Sequence, residues 1–266
     1  MSRTGLDVVD IGGETETRPH ALVFVHGAWH AGWCWEQHFL SFFVEHGFRV
    51  VAPSLRGHGN SPSDKPLRMY SIADYVRDVA GVVAALPTPP VLIGHSLGGF
   101  VVQKYLEKSD APAAVLMAST PPRGQLGSLL RSIRRHPWRS TKFAITGDPA
   151  DLCGTPAGAR ETFFSDDAPD EVVEAFMGQV QPDSTRAVMF DTVLGDLVRT
   201  HRVRTPLLVV GGERDRLYTP ADVRRTAAAY ATEPVLFPGM GHELMLEPDW
   251  RIVADRIELW LALRGF

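Results

Sequence analysis

Short apolar runs alternate with helical patterns along most of this chain, and this order limits the possible folds more than any other feature. The runs are continuous, which is typical of strands buried on both faces of a mainly parallel sheet. They cover residues 21–25, 49–52, 91–93, 114–117, 206–210 and 235–237, and helical patterns cover 35–45, 72–85, 100–108, 221–230 and 249–263. Strands and helices in this order predict an α/β fold, a parallel sheet flanked by helices. Residues 6–11 predict an additional antiparallel edge strand.

The alternation stops between Pro121 and Thr205, where no strand pattern is present. A stretch of this length is too long for a simple loop in a compact domain. We therefore expect a core formed by residues 1–120 and 206–266, and a helical cap, residues 121–205, inserted after the sixth core strand. Most apolar cap residues should form the cap's own core. Some should line a substrate pocket, and the candidates are Phe163, Met177 and Phe190, together with Trp29 of the core.

A basic run lies within the predicted cap, from Arg131 to Lys142, and it also contains Trp138. Since the chain has a net charge of -4, a solvated face is the simplest interpretation of this run. Contact with an anionic membrane or an anionic substrate is the alternative.

A glycine-flanked serine joins one apolar run to the helical pattern that follows it, in the stretch Gly94-His95-Ser96-Leu97-Gly98. This is the pattern of a nucleophile elbow, a tight turn that presents a hydroxyl at the carboxyl end of a strand. Side chains two residues before and after the serine would collide across that turn, so both positions favour glycine. The motif predicts Ser96 as a nucleophile.

A serine nucleophile needs a base, and the base needs an acid that orients it. On a sheet of this kind the order along the chain is serine, acid, histidine, with the last two after late strands. Asp215 follows the run 206–210, and His242 follows the run 235–237. Glu213 is the rival acid, but Asp215 lies deeper in the predicted turn. The sequence therefore predicts Ser96, Asp215 and His242 as the catalytic residues.

Acyl transfer also needs N–H donors for the negative oxygen that develops on the attacked carbonyl. We expect one from the backbone of Leu97, directly after the predicted nucleophile. The other is expected from the backbone of Ala28, in the loop after the first apolar run, where Gly27 permits a close approach. His26 in the same loop is expected to brace it by hydrogen bonding, and His58 and His95 are expected to have similar structural roles.

The composition excludes several other classes of protein. A net charge of -4 does not suggest nucleic-acid binding, and no apolar run is long enough for a membrane span. Cys34 and Cys153 are predicted to be free thiols, and the chain shows no signal-peptide pattern, so we expect a cytoplasmic protein. No metal-ligand spacing is present, and we expect neither a metal nor an organic cofactor. The sequence leaves open whether the protein forms a homodimer.

Together these motifs resemble the α/β-hydrolase superfamily. The matching blocks are 25–29, 55–61, 94–99, 211–215 and 241–242, within a resemblance that covers about residues 20–120 and 205–266. The resemblance implies the α/β-hydrolase fold with an inserted helical cap. Residues 26–35 are similar to the loop of the plant methylesterase and hydroxynitrile lyase branch. Those lyases have threonine in place of Gly27, and a lysine in their cap holds cyanide. The only lysine in the predicted cap of this chain is Lys142, so the resemblance favours ester hydrolysis over lyase activity.

The predicted triad and the resemblance favour a serine esterase. We expect it to cleave a small to medium, largely apolar carboxylic ester through an acyl-enzyme, with lactones and thioesters as related substrates. One alternative keeps the triad and changes the bond, as a lyase, a C–C bond hydrolase or a peracid-forming enzyme. Another alternative is a receptor that binds its ligand with negligible turnover. The expected partner is a small-molecule ester and not nucleic acid.

Overall fold

The computed structural model describes residues 5–15, 17–146, 148–195 and 197–266. Within these ranges seven strands form one sheet in the order β1-β3-β2-β4-β5-β6-β7. The strands are β1 (Val8–Ile11), β2 (Leu22–Val25), β3 (Val50–Pro53), β4 (Val91–His95), β5 (Ala114–Met117), β6 (Leu207–Gly212) and β7 (Pro234–Phe237). β1 pairs antiparallel with β3, and all other neighbours pair in parallel. The predicted parallel sheet and its antiparallel edge strand are therefore confirmed.

The helices lie between these strands, as the alternating pattern predicted. They are α1 (Trp33–Glu36), α2 (Phe39–Glu45), α3 (Ile72–Ala85), α4 (Leu97–Leu106), α5 (Leu126–Arg135), α6 (Pro137–Thr146), α7 (Ala150–Cys153), α8 (Pro156–Phe163), α9 (Asp170–Gln179), α10 (Pro220–Ala229) and α11 (Trp250–Ala262). A capping box begins α3, because Ser71 and Asp74 each bind the other's backbone N–H. A second capping box, from Thr219 and Asp222, begins α10.

The five strands β2 to β6 are buried along their whole length, which explains their continuous apolar sequences. β7 lies at the edge of the sheet and is only partly buried. Aromatic side chains of α1 and α2 pack on β2, where the Phe24 ring lies 5.1 Å from Trp35 and 5.6 Å from Phe43, centroid to centroid. This packing fixes the strand whose carboxyl end carries the loop 26–29.

The segment between β5 and β6 contains α5 to α9, a π-helix (Arg186–Asp191) and a 3-10 helix (Thr200–Arg202). None of its described residues forms a strand. It follows the fifth strand and not the sixth, which corrects the expected position. The strands before it are β1 to β5, which correspond to the predicted edge strand and the first four apolar runs.

Two smaller expectations concern the cysteines and the membrane. Cys34 and Cys153 are both buried and unpaired, as predicted. In the part of the chain that the structure describes, no helix has the length and apolar character needed to cross a membrane.

Candidate active site

Ser96 lies between β4 and α4, at the carboxyl end of the central strand of the sheet. Its backbone has φ 52° and ψ -119°, which is unusual for a residue other than glycine. The adjacent end of β5 holds this turn in place. Ser96 N–H donates to the Met117 carbonyl at 3.0 Å, and Thr120 N–H donates to the Ser96 carbonyl at 3.0 Å. A strained conformation held by main-chain hydrogen bonds is typical of a functional turn.

The glycines around Ser96 leave no room for side chains. A Cβ at Gly94 would lie 2.7 Å from the Gly98 carbonyl oxygen, so the expected collision across the turn is confirmed at this position. A Cβ at Gly98 would lie 2.3 Å from the carbonyl oxygens of Val25 and His26. The second collision is therefore with the loop after β2, which packs directly on the start of α4.

His242 and Asp215 lie in the loops after β7 and β6, at adjacent strand ends. His242 Nδ1–H donates to Asp215 Oδ2 at 2.8 Å, and both side chains are buried. Burial alone would lower the pKa of His242, but the Asp215 carboxylate raises that pKa above its ordinary value. The pair thus stabilises the protonated imidazole, which is the state that a general base reaches after it takes a proton.

Asp215 is held in position by its own loop. Its Oδ1 accepts hydrogen bonds from the backbone N–H groups of Leu217 at 2.8 Å and Tyr218 at 2.9 Å, while Oδ2 faces His242. Glu213, the rival acid, is exposed. The structure therefore brings Asp215, and not Glu213, to the histidine.

The segment around His242 is anchored by contacts that the sequence did not indicate. His242 N–H donates to the Phe163 carbonyl at 2.8 Å, and His95 Nε2–H donates to the His242 carbonyl at 3.1 Å. One residue earlier, Gly241 N–H donates to Glu247 Oε1 at 2.8 Å. These bonds join the histidine loop to α8, to the elbow and to the start of the last helix.

The loop after β2 meets Ser96 as predicted. Ala28 and Leu97 line the same cavity as Ser96. Because α4 begins at Leu97, its N–H belongs to the first helical turn, which has no partner inside the helix. A Cβ at Gly27 would lie 3.0 Å from Ser96 Cβ, so the loop and the elbow approach each other closely here. Both predicted oxyanion donors are thus beside the predicted nucleophile.

Asp183, in the segment between β5 and β6, holds the loop after β2. Its Oδ2 accepts from Trp29 N–H at 3.0 Å and lies 3.1 Å from His58 Nε2, and its Oδ1 accepts from the Tyr75 hydroxyl at 3.0 Å. Burial alone would raise the pKa of Asp183, but His58 lowers it below its ordinary value. Trp29 has a φ of 66°, so this carboxylate secures an unusual backbone conformation directly after Ala28. Trp29 and Asp183 are 154 residues apart, and no local pattern indicates their contact.

His26 braces this loop, as predicted. Its Nδ1–H donates to the Gly27 carbonyl at 2.8 Å, and its Nε2 accepts from Leu55 N–H at 3.0 Å. Burial lowers the pKa of His26 to about 3, so the ring is neutral at ordinary pH. One donor and one acceptor nitrogen are what this pair of contacts requires.

A buried carboxylate follows His242 directly. Glu243 Oε2 lies 3.2 Å from His30 Nε2 and 3.9 Å from His95 Nε2. Burial alone would raise the pKa of Glu243, but the two histidines lower it to about 2. His30 Nδ1–H also donates to the Ala28 carbonyl at 2.6 Å. A buried polar network therefore links the loop that carries Ala28 to the residue after His242.

Three of these side chains are close enough to consider as metal ligands. Ligand atoms of His95, His242 and Glu243 lie within 4.8 Å of one another. The imidazoles already bind inside the protein, since His242 Nδ1 donates to Asp215 and His95 Nε2 donates to the His242 carbonyl. One nitrogen of each imidazole is therefore already engaged inside the protein.

A small cavity of about 50 Å³ lies beside Ser96. The apolar part of its lining includes Trp29, Leu129, Phe143, Leu152, Val188 and Met189. Two polar lining groups are already bound within the protein: Ser128 Oγ donates to the Leu217 carbonyl, and Ser132 Oγ pairs with Ser140 Oγ. The wall thus offers a ligand a largely apolar surface.

Of the four predicted pocket residues, Trp29 lines this cavity, and the other three lie outside its lining. Phe163 is buried behind it, with its ring 5.7 Å from the Trp29 ring and 6.2 Å from the His242 ring. Met177 packs against the hydrophobic core. Phe190 is 58% exposed, because the π-helix directs Val188 and Met189 inward and the next residue outward. The sequence prediction is corrected for these three positions.

Comparison with known proteins adds a family and several relatives. The model of the alpha/beta hydrolase family matches residues 22–256. A monoacylglycerol lipase of Mycolicibacterium smegmatis is 28% identical, over 93% of this chain and 90% of its own length. Methylesterase 18 of Arabidopsis thaliana is 35% identical over 30% of each chain. A thermophilic esterase structure from Thermogutta terrifontis has a TM-score of 0.76 at 20% identity, covering 98% of this chain and 94% of that chain.

Proposed function

The chain belongs to the alpha/beta hydrolase family, and from that premise we propose that it is an ester hydrolase with a serine mechanism. The substrate is a small to medium, largely apolar carboxylic ester, with lactones and thioesters as related substrates. The observation that carries the proposal is the bond of 2.8 Å between His242 and Asp215, at strand ends next to the elbow that bears Ser96.

The reaction begins when His242 takes the proton of the Ser96 hydroxyl, whose oxygen attacks the ester carbonyl. The backbone N–H groups of Ala28 and Leu97 bind the oxyanion of the tetrahedral intermediate. Asp215 keeps the Nδ1–H tautomer of His242 and stabilises its charged form. The intermediate collapses to an acyl-enzyme as His242 gives its proton to the leaving alcohol. Water then attacks with the same base, which releases the acid and restores Ser96.

The wall of the cavity supports an apolar substrate. Leu129 and Phe143 come from the segment between β5 and β6, whereas Ser96 and Leu97 come from the core. We propose accordingly that residues 121–205 act as a cap over the core of residues 1–120 and 206–266. An acyl or alkyl group that enters beside Ser96 would contact both.

A cyanohydrin lyase is less well supported. The lysine that such an enzyme would need in the cap is Lys142 in this chain. Its Nζ lies 2.5 Å from Asp151 Oδ1, its side chain is 60% exposed, and it is outside the lining of the cavity beside Ser96.

The proposal is tested with 4-nitrophenyl esters of increasing acyl length, assayed on the unmodified protein, on Ser96→Ala and on the control Ser41→Ala. Ser41 is exposed on α2. We expect hydrolysis by the unmodified protein and the control, and a loss of about 10³-fold or more in kcat for Ser96→Ala. Hydrolysis that survives in Ser96→Ala, or none with any ester by the unmodified protein, would reject the mechanism.

A further inference from the structure

One stretch of the cap has a charge opposite to that of the whole chain. Residues 121–146 contain six Lys or Arg and no Asp or Glu, although the chain has a net charge of -4. The basic residues are Arg123, Arg131, Arg134, Arg135, Arg139 and Lys142. This stretch forms α5 and α6, which are separated by a single residue.

Helix α5 exposes apolar side chains on its outer side. Its inner side carries polar contacts, because Ser128 Oγ donates to the Leu217 carbonyl at 2.7 Å and Arg131 Nη2 donates to the same oxygen at 3.0 Å. Leu126 and Leu130, one turn apart on the other side, are each 46% exposed. An ordinary surface helix buries its apolar side and exposes its polar one.

Helix α6 repeats this arrangement. Trp138 is 83% exposed and Ile145 is 77% exposed, and their spacing of seven residues puts them on one side of the helix. Phe143, on the opposite side, is buried with its ring 5.6 Å from the Trp29 ring. The exposed residues are therefore not needed to attach α6 to the core.

The π-helix region adds two more exposed apolar side chains, Phe190 at 58% and Leu194 at 79%. This region is tied to the start of α5, because Gln125 N–H donates to the Thr192 carbonyl at 3.0 Å. We call the set Leu126, Leu130, Trp138, Ile145, Phe190 and Leu194 the cap face. Soluble monomers rarely expose a large apolar patch unless it binds something.

We propose that the cap face docks on an anionic lipid surface. Exposed Trp and Leu together with basic residues are the composition of helices that lie in the plane of a membrane interface. Arg134 and Arg135 are exposed on α5, whereas Arg186, the first residue of the π-helix, pairs with Asp191. Carboxylates also pair with Arg131, Arg139 and Lys142. The charges of Arg134 and Arg135 match the negative headgroups of an anionic bilayer.

A second copy of the chain is a poorer occupant. A two-fold dimer would place the cap face against itself, so the basic residues of α5 and α6 would meet their own copies. Like charges brought together at an interface are unfavourable. An anionic lipid surface can bury the exposed apolar side chains and also attract the basic residues.

Two helices that contribute to the cap face also line the cavity of the proposed active site. Leu129 of α5 and Phe143 of α6 line the cavity beside Ser96, on the inner sides of the two helices that expose Leu130 and Trp138. A docked protein would place this cavity close to the lipid. Docking does not depend on the proposed function. Only the additional inference, that the lipid provides the ester substrate, rests on that function.

Docking is tested by sedimentation with sucrose-loaded vesicles of phosphatidylcholine alone or with 30 mol% phosphatidylglycerol (about one anionic lipid in three). Ser96→Ala is measured beside the unmodified protein, so that binding is recorded independently of hydrolysis. We expect both to bind the anionic vesicles preferentially and to be released by salt. Trp138→Ser/Ile145→Ser should bind at least about tenfold more weakly, and Arg134→Gln about fivefold more weakly.

Two controls and a second readout keep the test decisive. Leu263→Ser and Arg224→Gln change an exposed apolar and an exposed basic residue elsewhere, and they should bind like the unmodified protein. All cap-face variants should hydrolyse a water-soluble short ester at the unmodified rate. Equal binding to both kinds of vesicle, no binding at all, or unchanged binding by Trp138→Ser/Ile145→Ser would overturn the proposal. A dimer in light scattering that this double variant dissociates would also overturn it, in favour of self-association.

Discussion

Asp215 Oδ2 lies 2.8 Å from His242 Nδ1, although the two residues belong to the loops of different strands. The contact is buried, and the Asp215 carboxylate raises the pKa of His242. Three further features meet this pair at the same edge of the sheet: the strained turn at Ser96, the Ala28 loop and a largely apolar cavity. The proposed chemistry depends on this convergence.

Replacing the acid tests the role of the pair. Asp215→Asn should lower kcat by about 10⁴-fold, because the amide favours the wrong tautomer of His242. Glu213→Gln is the matched control, since Glu213 is exposed in the same loop, and its kcat should stay within about twofold of the unmodified enzyme. Steady-state kinetics with one ester measures both. If the two results were exchanged, Glu213 would be the acid.

Asp183→Asn should destabilise the protein and also reduce activity. The change leaves His58 without its buried counter-charge and weakens the acceptor of the Trp29 N–H, so unfolding in urea should become easier by about 3 kcal/mol. Asp166→Asn removes surface ion pairs with Arg214 and Arg216 and should cost about 1 kcal/mol or less. Equal costs for the two variants would show that Asp183 does not hold the loop after β2.

Ionisation of Glu243 should make the free energy of unfolding depend on pH in the acidic range. Its pKa in the folded protein is about 2, below the ordinary value of 4.5. A lowered carboxyl pKa contributes stability that is complete above about pH 4.5 and is lost as the pH falls toward 2. Between pH 7 and pH 3 the loss from this group should be about 2 kcal/mol.

The comparison is made with Glu243→Gln, by urea unfolding at both pH values. The glutamine variant should be less stable than the unmodified protein at pH 7, and the gap between them should narrow by about 2 kcal/mol at pH 3. A gap that is the same at both pH values would mean that Glu243 is not ionised in the folded protein.

Adding a single methyl group at Gly94 of the elbow should destabilise the protein. A Cβ at Gly94 would lie 2.7 Å from backbone atoms, so Gly94→Ala should destabilise the fold by about 1–3 kcal/mol and lower kcat by moving Ser96. Gly178→Ala, in α9, places its Cβ in open space and should stabilise the protein by up to about 1 kcal/mol. Thermal unfolding of both variants measures the difference, and similar melting temperatures would contradict the packing described for the elbow.

The features that the sequence predicted correctly are those set by local pattern and strand order. The buried strands are continuous apolar runs because both faces of the sheet are covered. Asp215 and His242 follow late strands, and the carboxyl ends of parallel strands meet at one edge, so their contact could be expected. The turn at Ser96 is specified by its own glycines.

Other features depend on how distant segments meet. Asp183 approaches Trp29 only after residues between β5 and β6 fold over the core, and no periodicity encodes that approach. Phe190 was predicted to line the pocket because it is apolar and lies in the inserted segment. The π-helix instead turns Met189 toward the cavity and Phe190 toward the solvent, and helical phase of this kind cannot be predicted from composition.

The central claim is that Ser96 is the nucleophile. Its most direct test is labelling with a fluorophosphonate, which phosphonylates an activated serine, followed by mass spectrometry of the intact protein and of its peptides. We expect one adduct per chain, on Ser96, with no labelling of Ser96→Ala and strongly slowed labelling of His242→Ala. An adduct on another residue, or equal labelling of Ser96→Ala, would contradict it.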